Sequence, residues 1–178
     1  IATRGIHVIH CPESNLKLAS GACPVPRLVE CGVNVALGTD GAASNNDLDM
    51  MGEMKSAALM DKHDTNSAAA LTARDVLRMA TINGAKTLGL SDETGSLVSG
   101  KWADIACIDL QRLNTQPVYD PVSQIVYAAG REQVTDVWVA GRHLLSDSVL
   151  TKIDEADLLD ITATWGIRIA ATDATVTT

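Results

Sequence analysis

The chain has 178 residues, of which 46% are hydrophobic and 20% charged, and this composition is typical of folded proteins rather than disordered or collagen-like ones. Its 22 acidic residues outnumber its 14 Lys and Arg residues, so the net charge of −8 would repel the phosphate backbone of a nucleic acid. The longest apolar stretch is far shorter than the roughly 20 residues that a membrane-spanning helix needs, so we expect no membrane insertion.

The first predicted elements are a strand, a helix and a second strand. Residues 5–11 (GIHVIHC) form a short β-branched run that stops at a proline, as a buried strand does. Residues 24–31 (PVPRLVEC) suit a short helix with Pro in its first turn, and Gly32 lies where a helix commonly ends. Residues 34–37 then restart a strand. This order predicts a parallel sheet.

Helices are predicted next. Residues 47–62 carry apolar residues at helical spacing, with acidic residues near the start. A second helix begins at Thr72, where Asp75 three positions later makes an approximate capping box. We expect this helix to break near residues 83–84 and a short further helix to end at Gly89. The apolar residues of the first helix are Leu48, Met51, Met54, Ala58 and Leu59.

The sequence changes character after about residue 92. Residues 104–110 (DIACIDL) and 134–145 (VTDVWVAGRHLL) are short β-type runs, and Ala140–Gly141 within the second run indicates a hairpin turn. Residues 154–170 then predict an amphipathic helix. Its apolar side consists of Leu158, Ile161, Trp165 and Ile169.

The Cys and His residues offer little for a disulfide or a local metal site. The four Cys include no CxxC pair and lie mostly in apolar or strand-like segments, which favours free thiols in a reducing cytoplasm over a disulfide or zinc cluster. The four His include no HxH or HExxH motif. His7 and His10 are three residues apart on a predicted strand and point to opposite faces, so they cannot bind the same ion.

Two polar residues at strand ends are the strongest candidates for chemistry. Asp40 lies where the second strand enters a Gly-rich turn, and His10 ends the first strand. Because loops at the carboxyl ends of parallel strands hold the active sites of α/β enzymes, the two side chains would converge on one pocket. An Asp that caps a turn, and a buried His bonded to the backbone, would produce the same pattern.

Small polar residues follow both strand ends. Ser14–Asn15 and Ser44–Asn45–Asn46 offer hydroxyl and amide groups to a polar ligand, but Ser and Asn are also common turn formers. Glu53 lies within the Met-rich helix. It suits either a partner behind the site or a solvated helix position, and we favour the second interpretation.

Longer motifs at the same positions resemble a known superfamily. The strings HCPESNLKLASG at 10–21 and GTDGAASNNDLDMMGEM at 38–54 resemble the ends of the seventh and eighth barrel strands of amidohydrolase-superfamily deaminases and chlorohydrolases. GSLVSGKWADIACIDL at 95–110 and VTDVWVAGRHLL at 134–145 resemble the small β-sandwich of that superfamily. Within it, the sequence is most similar to the 5-methylthioadenosine/S-adenosylhomocysteine deaminases, with triazine chlorohydrolases as near relatives.

The resemblance implies an α/β fold class: the C-terminal portion of a (β/α)8 metal-dependent hydrolase barrel, followed by part of a small β-sandwich and a C-terminal helix. Residues 1–92 would hold strands 7 and 8 of the barrel with their helices. Residues 93–150 would be the β-sandwich segment, and residues 151–178 the C-terminal helix and tail. Without the other barrel strands, we expect sheet edges and an apolar face to be exposed.

The resemblance also implies roles for individual residues. Asp40 would be the catalytic residue and a ligand of one divalent metal ion, most commonly zinc, with iron as the alternative. His10, Asn15 and Ser44 would line the pocket beside the substrate. The family's other ligands, an HxH on the first strand and a His on the fifth, have no counterpart in this sequence. We therefore expect this chain by itself to be inactive.

The implied activity is hydrolytic deamination of 5-methylthioadenosine or S-adenosylhomocysteine, which converts adenine to hypoxanthine and releases ammonia. A triazine-type chlorohydrolase and another purine or guanine deaminase are alternatives in the same superfamily, and a non-catalytic scaffold or assembly subunit is the alternative of another class. The implied partner is a small nucleoside or triazine-like substrate, and a homo-oligomer is compatible with the resemblance. Because the sequence begins at Ile1 and no Met precedes Met50, we expect it to be the C-terminal part of a longer protein.

Overall fold

The computed structural model describes the backbone of residues 2–176 and the side chains of residues 2–172. Helices and short strands alternate in the first half of this range, and strands dominate residues 105–150 before a long final helix. The elements are β1 (Val8–His10), α1 (Pro12–Lys17), α2 (Val25–Glu30), β2 (Val35–Leu37), α3 (Met50–Thr65), α4 (Ala73–Ala80), α5 (Ile82–Thr87), β3 (Ile105–Ile108), α6 (Pro121–Tyr127), β4 (Val134–Val139), β5 (Arg142–Ser146), β6 (Val149–Leu150) and α7 (Glu155–Val176).

Strands β1 and β2 form a parallel pair, as the strand, helix, strand order predicts. Val8 pairs with Val35 and His10 with Leu37, and the N–H group of Gly38 donates to the His10 carbonyl at 3.0 Å. Helix α2 connects the two strands, and the left-handed Gly32 (φ +77) ends that helix. Both strands therefore end at the same edge of the sheet.

Helix α1 was not predicted. Pro12 occupies its first turn, where the missing N–H group costs no helical hydrogen bond. The same proline stops a strand, and in the sequence it favours a turn after β1. Ser14 and Asn15, expected in a loop, consequently lie on a helix that begins at the end of β1.

The apolar core lies where α3, α4 and α6 pack near β2. All three residues of β2 are buried, and the α4 capping box is present, with the Thr72 N–H group donating to Asp75 Oδ2 at 3.0 Å. The break between α4 and α5 falls at Thr81, earlier than the expected residues 83–84. Asn83 is already part of α5, and its Nδ2 atom donates to the Val35 carbonyl at 2.9 Å. The core includes Val25, Val35, Met54, Ala57, Ala58, Val76, Met79 and Val126.

Strands β3 to β6, which lie within residues 105–150, form a four-stranded antiparallel sheet in the order β3-β4-β5-β6. The β4–β5 hairpin turns at Ala140 (φ 48) and Gly141 (φ 74), the positive φ pair of a two-residue turn, so the predicted hairpin is confirmed. Helix α6 lies between β3 and β4 in the sequence and was not predicted. Its buried Val126 joins this part of the chain to the core around β2.

Helix α7 confirms the predicted C-terminal helix and extends beyond the expected end at residue 170. Each of its side chains that the structure describes is exposed, including Leu158, Ile161, Trp165 and Ile169. Residues 177–178 of the predicted tail lie outside the described residues. In the part of the chain that is described, no helix combines the length and apolar character needed to cross a bilayer. The four cysteines carry free thiols.

Candidate active site

The carboxyl ends of β1 and β2 place two polar residues at one edge of the sheet. His10 is the last residue of β1, and Asp40 follows the end of β2 by three positions. Gly38 permits the close approach of the strands, because a Cβ atom there would lie 2.9 Å from Ile9 Cγ2. The two strands therefore end at the same edge of the sheet, and the convergence of the His10 and Asp40 side chains on one pocket stays a prediction.

Asp40 accepts hydrogen bonds from two chain segments. Its Oδ2 atom accepts from Ser44 Oγ at 2.6 Å and from Ser14 Oγ at 2.9 Å, and its Oδ1 atom accepts from the Gly41 N–H group at 2.8 Å. These bonds, that of Ser44 foremost, lower the pKa of the Asp40 carboxyl below its usual range although the residue is exposed. Asp40 is therefore an ionised carboxylate with a fixed orientation at neutral pH.

The backbone of Asp40 is left-handed, with φ +62. Such a conformation is uncommon outside glycine, although Asp adopts it more readily than most residues, and it persists where the surroundings hold it. The bonds from Ser14, Ser44 and Gly41 provide that support. A capping Asp bonded only within its own turn would not need the hydroxyl of Ser14 on α1, so the interpretation of Asp40 as a simple turn residue is insufficient.

His10 is buried, and in the part of the chain that the structure describes its Nδ1 atom lacks the backbone hydrogen bond that a purely structural histidine would make. The residue is 3% exposed, and its Nδ1 atom has no hydrogen-bond partner among the described residues. Burial lowers the pKa of His10 to about 4, so the imidazole is neutral at pH 7. A buried polar atom without a hydrogen-bond partner lowers the stability of the fold by roughly 1–3 kcal/mol. Such atoms are rare in folded proteins, and a functional site is one explanation for them.

The hydroxyl of Ser44 donates to Asp40, whereas the amide of Asn15 does not. Asn15 Nδ2 donates to the Gly21 carbonyl at 3.2 Å and so supports the loop that follows α1. Ser14, which the sequence offers as either a group for a polar ligand or a turn former, supplies the hydroxyl of this segment that donates to Asp40. Lys17 also links α1 to the loop after β2, with Nζ 2.9 Å from the Ala43 carbonyl.

Glu53 was interpreted as a solvated helix residue, and that interpretation is wrong. Its side chain is fully buried on α3, where Oε1 accepts from Asn45 Nδ2 at 2.5 Å and Oε2 accepts from the Glu13 N–H group at 3.2 Å. Burial raises the pKa of Glu53 to about 7. Ala57, four residues later on the same face of α3, is also buried, so Glu53 lies on the side of the helix that faces the core.

The side chain of Asn45 completes this group. It is 3% exposed, and its Oδ1 atom accepts from the N–H groups of Leu48 at 2.8 Å and Asp47 at 3.2 Å. Asn45 is therefore a turn former, as Asn residues often are, and at the same time a donor to the buried Glu53 carboxylate.

The described residues do not complete a metal-binding set. No group of three or more His, Cys, Asp or Glu side chains in the described part of the chain could hold a metal ion. Asp40 fits as one ligand, since it is ionised and oriented, but His7 is exposed ahead of β1, His63 lies on α3, and His143 in β5 faces Asp136 at 2.9 Å. No reaction step through a metal follows from these residues alone.

Comparisons with known proteins agree on one family. The family model described as Amidohydrolase family matches residues 1–144. The 5-methylthioadenosine/S-adenosylhomocysteine deaminase of Teredinibacter turnerae is 52% identical over 171 residues, which are 96% of this chain and 39% of that protein. The chain thus spans about two fifths of the length of that curated relative.

Solved structures share the fold of this chain. An adenosine deaminase from Xanthomonas campestris with bound zinc is 52% identical, with a TM-score of 0.93 over 96% of this chain and 39% of that one. An atrazine chlorohydrolase from Arthrobacter aurescens complexed with zinc is 30% identical, with a TM-score of 0.85 over 92% of this chain and 36% of that one.

Proposed function

Since this chain belongs to the amidohydrolase family, we propose that it is the C-terminal part of a metal-dependent aminohydrolase that deaminates 5-methylthioadenosine or S-adenosylhomocysteine. Water adds to the purine carbon that bears the amino group, and that group leaves as ammonia, so the adenine moiety becomes hypoxanthine. The similarity to a curated deaminase of this specificity supports the substrate class. The proposed partner is a small nucleoside, and the proposed compartment is the cytoplasm.

The observation that carries the proposal is the state of Asp40. An ionised carboxylate has about four lone-pair positions, and Ser14, Ser44 and Gly41 occupy three of them. The remaining position, on Oδ1, is available to a metal ion or to a proton of an attacking water. The lowered pKa of Asp40 suits a metal ligand better than a general base, because a general base works best with a pKa near the working pH.

The metal we propose is divalent, with zinc preferred and iron as the alternative. Two structures similar to this chain were solved with zinc. When bound, such an ion lowers the pKa of a coordinated water and so supplies a nucleophile at neutral pH. Asp40 is the ligand that this chain would contribute.

We assign His10, Ser44 and Asn15 to the substrate side of the site. His10 ends β1 at the edge of the sheet that carries Asp40, and it is neutral at pH 7, so it would bring no charge to a bound purine. The Ser44 hydroxyl already donates a hydrogen bond to Asp40, so it would accept a hydrogen bond from the substrate. Asn15 would act mainly through the loop that it holds at Gly21.

In the proposed assignment, β1 and β2 are the seventh and eighth barrel strands and residues 1–92 are the end of the barrel. Residues 93–150 are the β-sandwich segment, represented by the antiparallel sheet, and residues 151–178 are the C-terminal helix and tail. A purely scaffolding chain would not need a left-handed Asp40 held by two serine hydroxyls. The strained and oriented carboxylate therefore favours the enzyme over the scaffold.

The test is an assay of the full-length protein that contains this sequence. With 5-methylthioadenosine or S-adenosylhomocysteine and zinc present, we expect loss of the adenine absorbance and release of one ammonia per substrate. Atrazine is the comparison substrate, because one of the similar solved structures is an atrazine chlorohydrolase. Chloride release from atrazine, with no ammonia at saturating nucleoside, would favour the chlorohydrolase over the deaminase. If neither product forms, the proposed substrate is wrong, and another purine or guanine deaminase and the scaffold subunit are the alternatives left.

A further inference from the structure

We propose that Glu53 is a positioning residue that holds the two serine hydroxyls on Asp40, an inference that rests on the proposed function of the Asp40 site. Glu53 does not touch Asp40. It acts through the residues next to the serines: Glu13 precedes Ser14, and Asn45 follows Ser44. The buried carboxylate of α3 thus accepts one hydrogen bond from each segment that donates to Asp40.

The first contact fixes the start of α1. The Glu13 N–H group lies in the first turn of that helix, where N–H groups have no partner within the helix. Cys11, at the N-cap position, makes no side-chain capping bond. Glu53 Oε2 therefore supplies an acceptor that the local sequence lacks, and the accepted group belongs to the residue just before Ser14.

The second contact fixes the loop after β2. Asn45 donates to Glu53 through Nδ2 and accepts from the Leu48 and Asp47 N–H groups through Oδ1, so its amide has a single favourable orientation. Ser44, the preceding residue, then has little freedom to leave Asp40. Glu53, Asn45 and the Glu13 N–H group form a chain of bonds that connects α1 to this loop through α3.

The polarity of this arrangement gives the test. Both groups that face Glu53 are donors, so Glu53→Gln places an amide Nε2 against one of them, whereas Asn45→Asp places two carboxylates in contact. The double variant Asn45→Asp with Glu53→Gln moves the carboxylate to position 45. There it accepts from the new Gln and from the N–H groups of Leu48 and Asp47, while the Gln carbonyl accepts from Glu13.

The experiment compares the full-length wild type with Glu53→Gln, Asn45→Asp and the double variant. Each single variant is expected to lower kcat on 5-methylthioadenosine by roughly 10- to 100-fold, with KM changed by less than about threefold, and the double variant is expected to recover most of the loss. Asp61→Asn is the matched control: Asp61 is a second buried carboxylate on α3, eight residues farther along, with no bond to either strand-end segment. It is expected to keep wild-type kcat.

A second measurement separates this inference from the proposed function. Crystal structures of the wild type and of Glu53→Gln are expected to show that the Ser14 and Ser44 hydroxyls leave Asp40 in the variant. If the wild type deaminates nothing, the proposed function fails, and the serine positions still decide the role of Glu53. Unchanged serine bonds in Glu53→Gln, wild-type kcat in that variant, or an equal loss in Asp61→Asn would each overturn the inference.

Discussion

Helices α3 and α7 carry similar apolar patterns in the sequence, but α3 is packed against the core and α7 is exposed. Helix α3 buries Met51, Met54 and Ala58 against the core, and it also buries Glu53 within the same face. Helix α7 carries Leu158, Ile161, Trp165 and Ile169 at helical spacing and buries none of them. An apolar stripe therefore predicts a helix but does not identify what that helix packs against.

The largest expected effect concerns chemistry at the strand ends. In the full-length protein, Asp40→Asn keeps the shape and the left-handed tolerance of the side chain but removes its charge. We expect deamination to fall by more than about 100-fold, beyond the loss typical of a supporting residue, while thermal unfolding changes little. Initial rates with added zinc measure the effect, and Asp92→Asn, in an exposed turn after α5, is the control. Retained activity would remove Asp40 from the site.

The next effect tests the packed half of the comparison. Met79 on α4 is 2% exposed and belongs to the core around β2. Met79→Ala is expected to lower the free energy of unfolding by about 2–5 kcal/mol, because it removes buried apolar surface and leaves a cavity. Urea denaturation of the full-length protein measures this change. A cost below about 0.5 kcal/mol, the range of surface substitutions, would contradict the assignment of α4 to the core.

A smaller effect concerns the carboxyl group of Glu53, which is buried on α3. Burial raises the pKa of Glu53 from 4.5 to about 7, so the folded protein binds this proton more tightly than the unfolded chain does. The stability that Glu53 contributes is therefore present below about pH 4.5 and is lost as the pH rises toward 7, by at most about 1.4 kcal/mol per pH unit. Denaturation of wild type and Glu53→Gln between these pH values measures the difference in slope. Parallel curves would show that Glu53 is not desolvated in solution.

The smallest effect tests the exposed half. Trp165 on α7 is 55% exposed, and Arg168 Cζ lies 5.3 Å from the centroid of its ring. Trp165→Ala is expected to change the free energy of unfolding by no more than about 0.5 kcal/mol, as surface substitutions do. The same denaturation series as for Met79→Ala gives the value. A cost of several kcal/mol would end the contrast between the two regions, because it would mean that α7 packs against other residues in the full-length protein.

Elements with strong local signals could be predicted from the sequence. The parallel pair of β1 and β2, the capping box at Thr72 and the hairpin at Ala140–Gly141 depend on short patterns with a direct physical cause, and all three are present. Helices α1 and α6 were missed although α2 and α5 are about as short. Gly32 and Gly89 mark where α2 and α5 end, whereas no glycine directly follows the C-cap of α1 or α6.

The site was predicted only in part, since its decisive contacts are non-local. Asp40 and Ser44 lie within one turn and were found together, whereas the bond from Ser14 spans 26 positions and that from Glu13 to Glu53 spans 40. A buried carboxylate cannot be distinguished by residue type from a solvated one. Leu59 shows the reverse error: it was assigned to the apolar stripe of α3 and is 49% exposed.

The bonds to Asp40 also make chain length part of the site. Ser14 follows the end of β1 by four positions, and Ser44 follows Asp40 by four, so each hydroxyl reaches the carboxylate only at that spacing. Inserting or deleting one residue between β1 and Ser14, or between Asp40 and Ser44, would withdraw a donor while every side chain named above stayed in the sequence. Variation in length among related sequences should therefore collect in the segment between α1 and α2, which carries neither serine.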